Sequence, residues 1–272
     1  MKEAALHLLL FLALGAPLPA ANVSWRVLQP GVELAEIPAG HLPSGEIGRL
    51  YVVRIDPRRA QLGAALASET GGAAKTAGEW CRTAGFAVAI NLGMFQTDQR
   101  SNVGYLRHGR HLNNRRWNGY RAAVALGPSK PSLQPALWLD LEPSKPDPRA
   151  ADYQIVVQNL RLISGNRANV WSPSAKRWSE AALAIDASGR LLFLFSRAPH
   201  SMRDFNDLLL RLPLNVAGAM HLEGGPEASL SIHTAGIDLD LSGSYETGFL
   251  EEDSNQRQWP IPNVLGVRRK AK

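Results

Sequence analysis

Residues 219–230, "AMHLEGGPEASL", place a carboxylate at the end of an apolar run and a second one four residues later, with two glycines and a proline between them. Glycines at 224 and 225 permit a sharp turn with positive φ or a close backbone approach. Two carboxylates on opposite sides of such a turn have the chemistry of an acid and a base for cleaving a glycosidic or phosphodiester bond, Glu223 and Glu227 being the pair. A solvated turn with two surface glutamates has the same spelling. A second candidate lies in "AINLGMF", residues 89–95, where Asn91 closes a strand-like run and Gly93 follows. A buried amide needs partners for its donors and its acceptor. Asn91 meets that need by holding a substrate oxygen or by holding loop backbone. His221 alternates with Met220 and Leu222, which directs it to the other face of its strand, as a base, a ligand or a satisfied structural histidine.

Other chemistries lack their residues. There is no G-x-S-x-G, no phosphate-binding P-loop and no dinucleotide fingerprint. His108, His111 and His200 fall in loops without zinc spacing, so no metal site is expected. No stretch implies a cofactor, and a divalent ion held by carboxylates stays open. Arginines cluster in "DPRRA" and "NNRRWNGYR" and suit an anionic ligand, but no nucleic-acid motif accompanies them and no nucleic-acid partner is expected.

Two stretches have the pattern strand, helix, strand. In the first, "RLYVVRID" (49–56) and the apolar stretch 61–67 lead to a helix over 73–84, with Ala77, Trp80, Cys81 and Ala84 on one face, a cap at Gly85 and a strand over 86–91. In the second, "RLLFLFS" (190–196) precedes a helix opened by Ser201, with Met202, Phe205, Leu208, Leu209 and Leu212 as its buried stripe; Pro213 stops it and strand 217–225 returns. Parallel crossover units gather ligands beyond the carboxyl ends of their strands, and Asn91 and Glu223 occupy that position. "AALAID" and "RLLFLF" around Ala187-Ser188-Gly189 read as a hairpin. The predicted fold is α+β or mixed α/β: a central mixed β-sheet with β-α-β units and packed helices, in a single domain. "EPSKPDPRAAD" (142–152) is a surface crossing, and "WPIPNVLGV" reads as a final strand packing back on the domain. Tyr245 and Glu246 read first as packing residues, with a place at the border of the cleft as the alternative.

The first 22 residues carry one lysine, an apolar stretch from Leu8 to Ala16 and small residues at Ala20 and Ala21, which reads as an export signal. The domain is then 23–272, with its core at 49–230, and the expected location is periplasmic or secreted. The stretch is too short for a spanning helix, so no stable membrane insertion is expected. A lone cysteine, Cys81, allows no internal disulfide and reads as a small core residue. The net charge of +6 owes four charges to Arg268, Arg269, Lys270 and Lys272.

The order of "EW", "AINLGMF", "NVGYLRHG", "YQIVVQNLRLI", "EAALAIDASGRLLFLF" and "AMHLEGGPEASL" resembles the phosphodiester glycosidase family, in its exported bacterial branch, from Arg49 to Leu230. By that resemblance Asn91, Gly93 and Phe95 match the family's Asn-Gly-Gly-Phe-Phe strand end, with Leu92 and Met94 as departures. Gly104 and Gly109 match the following hairpin, Gln158 a Gln-Ser-Gly-Pro strand, and Glu223, Gly224 and Gly225 an Asp-Gly-Gly turn. Glu for Asp moves the carboxylate outward by a methylene, and Glu180 stands about where many members carry an arginine. The resemblance implies an exported hydrolase that cleaves a sugar from a phosphodiester or related glycan, with a carbohydrate or sugar phosphate as its partner. Glu223 would be acid/base or orienter and Asn91 would hold the substrate. Gly93, Gly224, Gly225, Glu227 and His221 would line the site, and Arg100, Arg121 or Arg161 would neutralise phosphate. The alternative is a non-catalytic envelope protein that binds a glycan or a protein on the same fold.

Overall fold

The computed structural model describes residues 23–142, 145–234 and 236–270. The expected export signal lies outside them. From the N-terminus come β1 (Arg26–Gln29), β2 (Val32–His41), β3 (Ile47–Ile55), β4 (Leu62–Leu66), helices α1 (Ala67–Thr70) and α2 (Ala77–Ala84), and β5 (Phe86–Asn91). The middle of the chain forms β6 (Leu106–His108), β7 (His111–Asn114), β8 (Ala122–Pro128), β9 (Ala136–Asp140), β10 (Tyr153–Asn159) and β11 (Arg161–Ile163). Then follow β12 (Trp178–Asp186), β13 (Leu191–His200), α3 (Met202–Arg211), β14 (Val216–Gly224), β15 (Ser229–Thr234), β16 (Ile237–Ser242) and β17 (Asn263–Arg268).

These strands make three sheets. One has seven strands in the order β1-β2-β3-β13-β12-β14-β11, and two have five, β7-β6-β10-β8-β9 and β16-β15-β5-β17-β4. Every strand pair within them is antiparallel. The expected mixed sheet is therefore corrected: the single domain is richer in β-structure than an α+β or mixed α/β reading allows, and its helices are few. The cause is visible in the two crossovers. α3 does carry the chain from β13 to β14, and these two run in the same direction, but β12 lies between them and pairs with both. Likewise β17, from the far end of the chain, lies between β4 and β5. The first crossover also starts from β4 rather than from "RLYVVRID", which belongs to the seven-stranded sheet.

Local signals act where the sequence places them. Thr76 accepts from the Glu79 N–H at 3.2 Å while the Glu79 carboxylate accepts from the Thr76 N–H at 2.8 Å, a reciprocal cap that starts α2 at Ala77 rather than at 73. Gly85, at φ +71°, ends it. The Asp186 carboxylate accepts from the N–H groups of Ser188 and Arg190 and ties the β12–β13 hairpin. His108, His111 and His200 sit at strand ends, not in loops.

Both faces of β13 are covered, which is why it reads as an unbroken apolar run. Leu191, Phe193 and Phe195 enter a central core with Val53 and Ile55, Leu183, Met220 and Leu222, joined by Ile90, Val124, Val157 and Leu265 from the other two sheets. Leu192 and Leu194 pack on the opposite face beneath Phe205 and Leu209 of α3. Cys81 is buried on the inner face of α2, and burial pushes its thiol up to about 12, which leaves it an inert core residue.

Candidate active site

β14 runs through the core and delivers Glu223 to its edge. Its pairing with β12 slips between Ala181 and Ala182, opposite Glu223 and His221 respectively, so that Leu222 is an extra residue on β14. Such a bulge re-aims neighbouring side chains at a strand end. Glu180 lies across from Gly224 in the same ladder.

The consequence is a buried pair. His221 Nδ1 and the Glu180 carboxylate are 2.6 Å apart, and both residues are almost completely buried. The other oxygen of Glu180 accepts from the Trp178 indole N–H at 2.7 Å, and that indole meets the His221 ring edge-on at 6.3 Å. Burial by itself would depress the pKa of His221, but the negative charges of Glu180, Glu223 and Glu246 more than offset it and raise the pKa. Among the described residues His221 Nε2 has no hydrogen-bond partner.

The two glycines are explained by what packs on them. A β-carbon on Gly224 would stand 2.7 Å from the Trp178 ring, and one on Gly225 would collide with the Glu246 carboxylate. Gly225 also has φ +60°. This turn thus brings Glu246 against the Glu223 end of β14. Burial pushes the Glu223 carboxyl up to about 8, with Glu227 and Glu246 adding to the shift and His221 and the Gly224 N–H opposing it. Glu227 and Glu246 are raised as well, chiefly by burial. Burial, with help from the charge of Glu223, also raises the Tyr120 hydroxyl. The site therefore gathers three carboxyls that burial makes harder to ionise, with Glu223 pushed up to about 8, an arrangement suited to general acid and base work.

Asn91 supports this turn from behind. Its Nδ2 donates to the Glu227 carbonyl at 3.0 Å and its Oδ1 accepts from the Ser229 N–H at 2.8 Å, within a side chain 1% exposed. The amide binds backbone through both its nitrogen and its oxygen, so Asn91 holds the loop here. Gly93, at φ +132°, leaves room for Asn102 Oδ1, which would be 2.5 Å from a β-carbon there. Gln158 donates to the carbonyls of Asn118 and Tyr120 and accepts from the N–H groups of Tyr105 and Asn118, fixing the loop that carries Tyr120.

Arg161 lies on the strand beside His221, its backbone paired with Met220. Arg121 and Arg161 line a groove of about 320 Å³ with Trp171, and Tyr120 borders both this groove and Glu223. Arg161 is 3.4 Å from Asp140, and its buried Nε has no partner among the described residues. Arg100 is exposed on the loop after β5, its guanidinium 3.5 Å from the Gly72 carbonyl. Three members of the cluster stand outside the expected site residues: Trp178, Glu180 as the partner of His221, and Glu246, which packs on Gly225 and so borders this end of β14. The Gly-Gly pair carried a signal of close approach, but not of what approached. Among the described residues no group of three or more histidine, cysteine and carboxylate side chains is arranged to hold a metal ion.

The sequence profile of the phosphodiester glycosidase family matches residues 84–268. This chain belongs to that family. The fold of this phosphodiester glycosidase family member is also that of solved structures. The catalytic domain of zebrafish N-acetylglucosamine-1-phosphodiester alpha-N-acetylglucosaminidase, auto-inhibited by its pro-peptide, superposes with a TM-score of 0.60 at 14% identity, over 92% of this chain and 86% of that one. A hypothetical protein from Synechocystis superposes with a TM-score of 0.56 at 17% identity, over 92% of this chain and 64% of that one. No curated protein matches the sequence. The resemblance carried by "AINLGMF" and "AMHLEGGPEASL" is thereby shown to be one of family.

Proposed function

We propose that this protein is an exported hydrolase that releases a sugar from a phosphodiester or a related glycan, with Glu223 as the proton donor. The observation that carries this reading is the position of Glu223 at the end of β14, beside the Glu180–His221 pair and in surroundings that push its carboxyl up to about 8. In this mechanism Glu223 gives its proton to the departing oxygen, and Glu227, across the Gly224–Gly225 turn, takes a proton from the attacking water. His221, oriented by Glu180, offers Nε2 to a substrate hydroxyl. Asn91 acts as a positioning residue through the Glu227 carbonyl rather than as a substrate ligand. Family membership supports glycosidase-type hydrolysis.

The test is sugar release from a panel of glycosides and sugar-1-phosphodiesters by the purified protein lacking residues 1–22. Turnover that falls by two orders of magnitude or more in Glu223→Gln supports the assignment. Turnover unchanged in that variant removes Glu223 from the mechanism, and a folded protein inert on the whole panel favours the non-catalytic binding role.

A further inference from the structure

A second concave surface lies away from Glu223. A groove of about 670 Å³ runs between β1, the last turn of α2, the start of β5, the β15–β16 hairpin and the chain beyond β17. β5 and β15 connect it to the candidate active site and also separate the two. Asn91 and Ser229, joined there by the 2.8 Å hydrogen bond, end β5 and begin β15, whereas Ala87 and Thr234 of the groove stand four and five residues away along those strands. At about 3.3 Å per residue the separation is about 13–17 Å.

The lining has an apolar floor and a charged rim. The floor is the outer edge of the central core: Ala87 belongs to that core, and Leu28 and Ile237 pack on it half-buried. Around it stand Arg82, Arg269 and Lys270, all exposed and none of them ion-paired among the described residues. Arg269 is anchored, its Nε donating to the Phe86 carbonyl at 3.1 Å and its backbone N–H to the Gly85 carbonyl, so its two Nη atoms face no competing partner among the described residues. The carboxylate on the lining, Asp238, is ion-paired with His233, whose other ring nitrogen is 2.9 Å from Asp240. Thr234 adds a buried hydroxyl oxygen without a hydrogen-bond partner among the described residues.

Three cations gathered over an apolar floor repel one another, and a bound oxyanion relieves that repulsion. Guanidinium groups take a phosphate through paired N–H donors and an ammonium takes it as a point charge. Three positive charges against one carboxylate favour a dianion over a monoanion. A cavity of this volume has the size of a small-molecule site, and its concavity encloses a ligand rather than meeting a flat surface. We infer that this groove is a second binding site, for a small phosphate monoester whose apolar or ring-shaped part packs on Leu28, Ala87 and Ile237. The site goes beyond the hydrolase reading and does not depend on turnover at Glu223.

The experiment is titration calorimetry of the purified protein with phenyl phosphate, inorganic phosphate and phenol. Phenyl phosphate should bind at one per chain and more tightly than either part alone. Arg82→Gln combined with Lys270→Gln, both at exposed positions, should weaken it by at least about tenfold. Arg115→Gln combined with Arg116→Gln removes the same charge from exposed positions elsewhere and should change it by less than about twofold. Equal losses in the two double variants overturn the inference in favour of general attraction to a basic protein. Binding untouched by the first pair overturns it too, as does the absence of phenyl phosphate binding by the folded wild type. Capture by phosphatidylglycerol vesicles that the first pair abolishes, with no binding of phenyl phosphate, replaces the small ligand with a membrane surface.

Discussion

Glu223 titrates some way above an ordinary carboxylate, and that shift has two consequences of opposite use. For catalysis it keeps a proton available: the rate should fall as pH rises through about 8, where Glu223 ionises, and the pH–rate profile of the purified protein checks this. For stability it is a cost. The carboxyl ionises near 4.5 in the unfolded chain and near 8 in the folded one, so folding takes up a proton between those values and stability falls as pH rises across that window. Glu223→Gln should therefore lose activity by about 10²–10⁴-fold while flattening the decline of stability between pH 5 and 8, as read by urea unfolding at a series of pH values. Glu180 supplies the second test at this scale. Its charge is what opposes the desolvation of His221, so Glu180→Gln should lower the pKa of His221, measured by the NMR titration of its ring protons. A pKa left in place would mean that the pair is not the source of the shift.

At the scale of elements, the site depends on the turn between β14 and β15 being held to the end of β5. Asn91 makes that connection with two hydrogen bonds to backbone. Asn91→Ala leaves the buried Ser229 N–H without its partner, while the Glu227 carbonyl keeps the Ser229 hydroxyl as a donor, and should cost about 1–3 kcal/mol for the one orphaned group. Denaturant unfolding measures it. On the proposed mechanism, in which Asn91 positions the turn that carries Glu227, activity should fall as well, in kcat more than in KM. The helices were legible from caps and stripes because those interactions span only three or four residues: the Thr76 and Glu79 pair, Gly85, and Ser201 before α3. The two crossovers were legible as connections but not as neighbours, because nothing near α2 or α3 records that β17 or β12 inserts beside them.

For the whole molecule, β17 is the informative element. It hydrogen-bonds on one side to β4 and on the other to β5, with Val264, Leu265 and Val267 fully buried. A chain ending at residue 262 should not fold to the native sheet, since it exposes two inner strand edges and the apolar face beneath them. Loss of the native near-ultraviolet circular dichroism and aggregation on gel filtration are the expected readouts. A monomeric, cooperatively unfolding truncated protein would show that β4 and β5 can close on each other.

The amino-acid sequence by itself determined the elements whose causes are local: the β12–β13 hairpin, the caps of α2 and α3, and the apolar strands that run into polar turns at Asn91 and Glu223. It also carried the family, through the order of those turns. Tertiary structure alone decided what the turns meet. Asn91 finds its partners 136 and 138 residues away, Glu180 finds His221 41 residues away, and Glu246 packs on Gly225 from the segment beyond β16. Each of these depends on strand order and on a one-residue bulge, and periodicity records only which face a side chain takes, not which strand lies opposite it. That is why the same "EGG" could be read as a solvated turn or as a catalytic one, and why only the packing of Trp178 and Glu246 against its glycines shows that the turn belongs to a buried cluster.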